Sequence, residues 1–410
     1  MRNTIGAAMR RRYAWWAWAA ILALLFGASI YVGYDRYHSA SLTVSPHLEQ
    51  VTVAVPLMHV LDWPNYGQAA IATKTYGVIA THGSTVPQPT ASTAKLILAV
   101  AIMQKKPYSD SKGENITFTQ ADVDRYQAYV AGGGTVAAVV NGLNWTQHQA
   151  LQAVLLASSN NVSDSLAIWA FGSLDAYRTY TQKMVHDFGM EHTTIGSDAS
   201  GYSATTTSTA HDLALLAAEA LAYQPLRDIV ATQTVTLPVA GTITSTNQLL
   251  VDGAIIGMKT GWIPEAGGVF VLAGTQTDQE HTHEIITVVM GAPGGASNVA
   301  QEAAYALYQL AKANFAYRQI ITQGQSLGKY HPAWEEHPTS LVAAQGVGMF
   351  VWANTSPEVH LSAATGTPGS EGVVGAVHSS FGTWSTSVPL VLEQSISQPS
   401  AWWRVVQRGW

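Results

Sequence analysis

The chain has 410 residues, a net charge of −6, 47% hydrophobic but only 11% charged residues, and no cysteine. The lack of thiols excludes disulfides, cysteine nucleophiles and thiolate zinc sites, and the acidic balance argues against nucleic acid, whose binding needs basic side chains to neutralise phosphates. A chain of this length is expected to form two domains, held together by apolar burial alone.

From the N-terminus, Arg2, Arg10, Arg11 and Arg12 precede an uncharged run from Tyr13 to Tyr34, and no acidic residue occurs before Asp35. That run of 22 residues is long enough to cross a bilayer, which takes about 20 apolar residues. Basic residues on its leading side keep that end in the cytoplasm and place everything after Tyr34 outside. Trp15, Trp16, Trp18, Tyr31 and Tyr34 lie toward its ends, as interfacial aromatics do. The rival reading is a cleaved signal peptide ending near Tyr37-His38-Ser39-Ala40, and the length of the apolar run favours an uncleaved anchor. Setting aside the four N-terminal arginines leaves −10 on the exported part.

Ser92-Thr93-Ala94-Lys95 opens the apolar run Leu96 to Met103, which predicts a buried helix beginning near Ser92. Positions i and i+3 share a helix face, so Lys95 is placed to take the Ser92 proton. Two other Ser-x-x-Lys matches, Ser109/Lys112 and Ser326/Lys329, fall in a polar stretch and a glycine-containing loop that offer no rigid, dry platform. Thr146 to Ala157 repeats Ala150, Leu151, Val154 and Leu155 on one helical face and delivers Ser158 at its end. Both Ser158/Asn160 and Ser159/Asn161 fit a Ser-x-Asn pattern, and the residues alone leave that register open.

Thr209 with Asp212, ahead of Leu213, Leu215 and Leu216, has the form of a capping box, and Asp198 and Asp212 read as solvated or capping residues. Lys259-Thr260-Gly261 occurs once. Gly257 to Lys259, Val269 to Gly274 and Glu284 to Met290 read as successive antiparallel strands, with the lysine on an edge strand whose N–H groups face a cleft. His281, His283, His331 and His337 fall in expected turns without a His-Glu-x-x-His helix, so no metal and no other cofactor is expected.

Beyond about Arg318, the strand candidates Leu341 to Ala344, Val347 to Trp352, Val359 to Ala363, Val373 to His378 and Ser385 to Val391 predict a small β-sandwich. Pro399 to Trp410 carries three tryptophans and two arginines and reads as an amphipathic segment in a membrane interface.

The three strings stand in order, 66 and 101 residues apart. They supply a nucleophile, its base, a second polar pair and a cationic strand, which is the equipment of a serine acyl-transfer enzyme. On these residues the chain resembles the penicillin-binding proteins, most closely the low-molecular-weight D-alanyl-D-alanine carboxypeptidases. Ala70 to Val78 resembles that family's opening hairpin, Tyr129 to Gly134 its segment between the first two motifs, Ser208 to Ala214 a helix start, and Val251-Asp252-Gly253 the approach to the third motif. Leu166-Ala167 falls where the family's helix has the same pair, which sets the register on Ser158 and Asn160. The resemblance runs from about Val51 to Phe315, with a weaker echo to Ser397.

The resemblance implies an α+β fold: a five-stranded antiparallel sheet flanked by helices, a helical lobe inserted between the first and third motifs, and the small C-terminal β-sandwich. The expected divisions are an anchor at 1–34, a linker at 35–50, a catalytic domain at 51–317, a β-rich domain at 318–397 and a tail at 398–410. It further implies a serine D-Ala-D-Ala carboxypeptidase on the outer face of a bacterial membrane, with peptidoglycan stem peptides as substrates and β-lactams as covalent inhibitors. Ser92 is then the nucleophile and Lys95 its base. Ser158, Asn160 and Lys259 complete the catalytic set, and Thr260, Gly261 and Trp262 bind substrate. Membrane contact through the N-terminal helix and the C-terminal tail is expected, and nucleic acid is not.

In one respect the chain departs from the family. The stretch Ala292 to Asn298 lacks the arginine that helps hold the substrate carboxylate in relatives, so D,D-endopeptidase activity on cross-links stays open beside carboxypeptidase activity. A β-lactamase reading rests on Glu191 as deacylating residue, and a non-catalytic wall-binding scaffold is the third alternative.

Overall fold

The computed structural model describes residues 3–38, 42–110 and 112–407. Arg2, the Ser39-Ala40 end of the alternative cleavage site, Ser111 and the tail residues Arg408 to Trp410 lie outside them. Helix α1 (Asn3–His38) contains one segment, Tyr13–His38, that is long and apolar enough to cross a membrane and is unburied. The next short strand is β1 (Pro46–Leu48), and the hairpin β2 (Gln68–Thr73) and β3 (Gly77–Gly83) leads to helix α2 (Ala94–Lys105).

Every residue of α2 from Ala94 to Met103 is buried, as a helix that is apolar all round must be. It starts two residues later than expected, because Ala91–Thr93 forms a turn of 3₁₀ helix ahead of it. A helical lobe follows: α3 (Gln120–Ala131), α4 (Gln147–Leu155), α5 (Asn160–Phe171), α6 (Leu174–Asp187), α7 (Ala210–Ala220) and α8 (Gln224–Val230). Thr146 caps α4 by a reciprocal pair with Gln149, which fixes its start one residue inside the expected span.

Strands β4 (Ile255–Ile263), β5 (Gly267–Asp278) and β6 (His281–Ala292) complete an antiparallel five-stranded sheet in the order β4-β5-β6-β2-β3. β5 and β6 exceed their expected spans because the polar ends of their hairpin stay paired as far as Asp278 and His281, and β4 exceeds its own because it pairs with β5 from Ile255 to Ile263. Their apolar runs are continuous because both faces are covered. Val269, Val271 and Ala273 join the core that contains α2 and α7, while Phe270 and Leu272 join Leu307 and Tyr308 of α9 (Asn298–Asn314). This layering places β4 at a sheet edge beside the 3₁₀ turn that precedes α2.

The C-terminal part is β-rich. It comprises β7 (Phe315–Ile321), β8 (Ser326–Tyr330), β9 (Thr339–Ala343), β10 (Val347–Trp352), β11 (Glu358–Ala363), β12 (Val373–Phe381) and β13 (Trp384–Leu392). β7 pairs with β10 as a ribbon, and the others form a six-stranded sheet ordered β1-β8-β9-β13-β12-β11. Ser326/Lys329 therefore lies on a strand, not in a loop as expected, and i and i+3 on a strand point to opposite faces. The ribbon packs against the five-stranded sheet, where the Phe350 N–H donates to Oη of Tyr76 in the β2–β3 turn at 2.9 Å.

Candidate active site

The 3₁₀ turn and the first residues of α2 carry Ser92 half-buried and Lys95 fully buried. Lys95 Nζ lies 2.9 Å from Ser92 Oγ, 2.8 Å from Asn160 Oδ1 and 2.7 Å from the Ser200 carbonyl oxygen. An ammonium satisfies all three acceptors. A neutral amine has two N–H groups and one lone pair. The Asn160 and Ser200 oxygens can only accept, so its two N–H groups go to them and its lone pair turns to the Ser92 hydroxyl.

Burial pushes Lys95 down from 10.5 to about 7, against the upward pull of Asp198 and Asp164. Lys259 on β4 is 1% exposed and is pushed well below the ordinary lysine range, by burial and then by the charge of Lys95. Its Nζ donates to its own neighbour's carbonyl, Thr260 O, at 2.9 Å. Burial is the largest cause for each lysine.

β4 comes close to Ser92 because Gly261 has no side chain: a Cβ there would lie 3.0 Å from Ser92 N and 3.1 Å from Ala91 Cβ. Thr260 Oγ1 is 2.6 Å from Thr246 Oγ1. Trp262 is 38% exposed at the strand's end, and its Nε1 donates to Gly294 O at 2.9 Å. Ser158 sits in the turn between α4 and α5 and is 7% exposed. Ser158 (φ +56°) and Ala91 (φ +46°), the residue before Ser92, both adopt the left-handed region without being glycine. Such strain costs about 1–3 kcal/mol per residue and persists only where the surroundings enforce it. Gly201 (φ +70°) is part of that enforcement, since a Cβ there would lie 1.9 Å from Ala91 O.

The structure thus brings Ser92, Lys95 and Asn160 into direct contact and lays Gly261 against the same turn. Sequence reasoning missed the Asp198–Ser203 loop, which supplies the third partner of Lys95. Asp198 Oδ1 accepts from Ser200 N (2.8 Å), Ser200 Oγ (2.6 Å) and Tyr202 N (3.2 Å), so this carboxylate shapes the loop and is not merely solvated. Asp-x-Ser-Gly is a turn signal, which locates a bend but not what the bend touches. Asp212 is likewise buried, accepting from His192 N and Thr193 Oγ1, while Thr209 caps α7 by accepting from Asp212 N.

The histidines expected in turns differ from that reading. His281 and His283 lie on β6, where His281 stacks on Tyr317 and His283 packs between Phe315 and Phe350. Among the described residues no group of three His, Cys, Asp or Glu is placed to hold a metal. Glu191 is exposed and its ion-pair partner is His186 at 3.7 Å.

The family model for D-alanyl-D-alanine carboxypeptidase, peptidase S11, matches residues 67–294. Among solved structures, the chain is similar to penicillin-binding protein 5 from Haemophilus influenzae (18% identity, TM-score 0.59, covering 87% of this chain and 100% of that one). It is also similar to a peptidoglycan synthesis regulatory factor, PBP3, from Streptococcus pneumoniae (21%, TM-score 0.62, 82% and 100%). A third is penicillin-binding protein 6B from Escherichia coli (17%, TM-score 0.60, 83% and 100%). At these identities the three likenesses establish the fold, and no curated protein sequence matches the chain. The family match spans the opening hairpin, the buried lysine pair and the edge strand laid against Ser92, and the chain belongs to the D-alanyl-D-alanine carboxypeptidase family of serine peptidases.

Proposed function

We propose that this enzyme removes the terminal D-alanine of peptidoglycan stem peptides through an acyl-enzyme on Ser92, and that β-lactams acylate the same oxygen. The observation that carries this reading is the Lys95 nitrogen 2.9 Å from Ser92 Oγ, with its other two contacts both acceptors. Neutral Lys95 takes the hydroxyl proton as Ser92 Oγ attacks the penultimate carbonyl carbon. The backbone N–H groups of Ser92 and Trp262 receive the developing oxyanion, which is where preorganised donors gain most. The proton then passes through Ser158 to the departing D-alanine nitrogen as the C–N bond breaks. Water finally hydrolyses the ester. Lys259 and Thr260 attract the substrate carboxylate, whose negative charge favours the cationic form of Lys259 that burial opposes.

D,D-endopeptidase activity is the second reading, supported by the absence of arginine from Ala292 to Asn298 beside Trp262. Residues 51–317 would form the catalytic unit and 318–397 a spacer. α1 would serve as a single-pass anchor with its N-terminus inside, and the tail near Trp402 and Trp403 would rest at the membrane surface.

The test uses the detergent-solubilised full chain with a fluorescent penicillin and, separately, with pentapeptide and a cross-linked dimer. Wild type should be labelled and should release D-alanine, while Ser92→Ala should lose both activities. Continued labelling of that variant would refute the nucleophile assignment, and cleavage of the dimer alone would favour the endopeptidase.

A further inference from the structure

Asp164 stands one helical turn after Asn160 on α5, so the two residues share a face. Its side chain is 4% exposed. Tyr129 Oη donates to Oδ2 at 2.7 Å and the Ala199 N–H donates to Oδ1 at 2.9 Å. Ala199 immediately precedes Ser200, whose carbonyl oxygen accepts from Lys95 Nζ. The carboxylate therefore holds, by one hydrogen bond, the loop that holds the base. Arg125, the cation on the neighbouring helix α3, donates to Asp122 and Ser165. Among the described residues no ion pair reaches Asp164. A buried carboxylate without an ion-pair partner is costly; Arg125 acts on it through space, and the carboxylate's own charge acts on Lys95, which the chain of contacts through Ala199 and Ser200 reaches. The charged and titratable groups facing this region are Asp122, Arg125 and Tyr129 from α3, Tyr177 from α6, Asp198 and Tyr202 from the loop, Lys95 from α2 and Lys259 from β4.

We propose that Asp164 is a positioning residue for acylation: through the Ala199 N–H it fixes the Ser200 carbonyl against Lys95, and its charge, beside that of Asp198, moves the pH at which Lys95 becomes a base upward. The inference rests on Ser92 and Lys95 acting as described above. Asp164→Asn keeps an acceptor for the Ala199 N–H and removes the charge, so it separates the two contributions. Asp164→Glu keeps the charge and disturbs the geometry.

The experiment is the rate of fluorescent-penicillin acylation of the solubilised full chain, measured from pH 5 to pH 9 for wild type and both variants. In Asp164→Asn the alkaline-going limb should move to lower pH by about 0.5–1 unit, the scale of one removed opposite charge at moderate distance. Acylation near pH 5.5, relative to its own plateau, should then rise about 3- to 10-fold. In Asp164→Glu the limb should keep the wild-type midpoint while the plateau falls. A midpoint unmoved in Asp164→Asn, or one that moves in Asp164→Glu as far as that, overturns the proposal. A merely structural residue changes the plateau or the melting temperature and leaves the midpoint alone. Should Asp164→Asn fail to fold, Asp164→Ser, uncharged and smaller with an oxygen acceptor, takes its place: its midpoint should also move to lower pH, and an unmoved midpoint there overturns the proposal. Failure of wild type itself to acylate would instead refute the function proposed for Ser92.

Discussion

Lowering the pH should switch off acylation of Ser92 along a limb set by Lys95. A lysine at its ordinary 10.5 would be neutral in about one molecule in three thousand at pH 7, whereas Lys95, held at about 7, is neutral in about half. Burial thus raises the population of competent base about a thousandfold at neutral pH. The base is the deprotonated form, so the rate rises with pH and levels off above the midpoint. Each unit below about 7 should cut the rate about tenfold, leaving about 1% of the plateau at pH 5. Quenched time courses with a fluorescent penicillin, from about pH 5 to pH 9, give the profile directly. Lys95→Arg, whose guanidinium stays charged throughout, should lose about 10²- to 10⁴-fold at the plateau and show no limb. A wild-type rate that is flat across this range, or a midpoint near 10.5, would refute the assignment of Lys95 as the base.

Two further outcomes follow from the packing around the sheet. His283 is buried among aromatic rings with Nδ1 unpartnered among the described residues, and burial lowers it from 6.5 to about 4. The unfolded chain therefore binds this proton first as pH falls, so stability is full above about 6.5 and drops by about 3 kcal/mol by pH 4; urea titrations should show that drop in wild type and much less of it in His283→Phe. Gly261→Ala forces β4 away from Ser92 N by a few tenths of an ångström, and should slow acylation about 10- to 100-fold while the melting temperature stays close to wild type. Equal rates in the two proteins would show that the strand does not set the geometry of the nucleophile.

The parts of the site carried by local sequence were legible. Ser92 and Lys95 meet because a helical turn brings i and i+3 together, and the apolar run behind them marks which of three matches is rigid. Asn160 needed a resemblance to fix its register. Ser200 and Asp164 were out of reach, since their connection to Lys95 passes through a backbone carbonyl 105 residues away, and any residue type presents a carbonyl. His283 was misread because the polar string around it resembles a turn, yet hydrogen bonding across β5 and β6 runs through it. β7 escaped notice because it follows α9 directly, without the glycine or proline that usually marks such a boundary. β1 pairs with a strand about 280 residues later, a partnership that no local pattern encodes.

That pairing limits how far the body of the chain can stand from α1. Pro46 is tied to Tyr330 and Val44 to Gly366, so only the stretch between His38 and Val44 links α1 to the body, and fully extended it spans at most about 22 Å. A tether of that length acts as a short mooring, not a long leash. Were α1 to span a bilayer, the body of the chain would be held close against its surface.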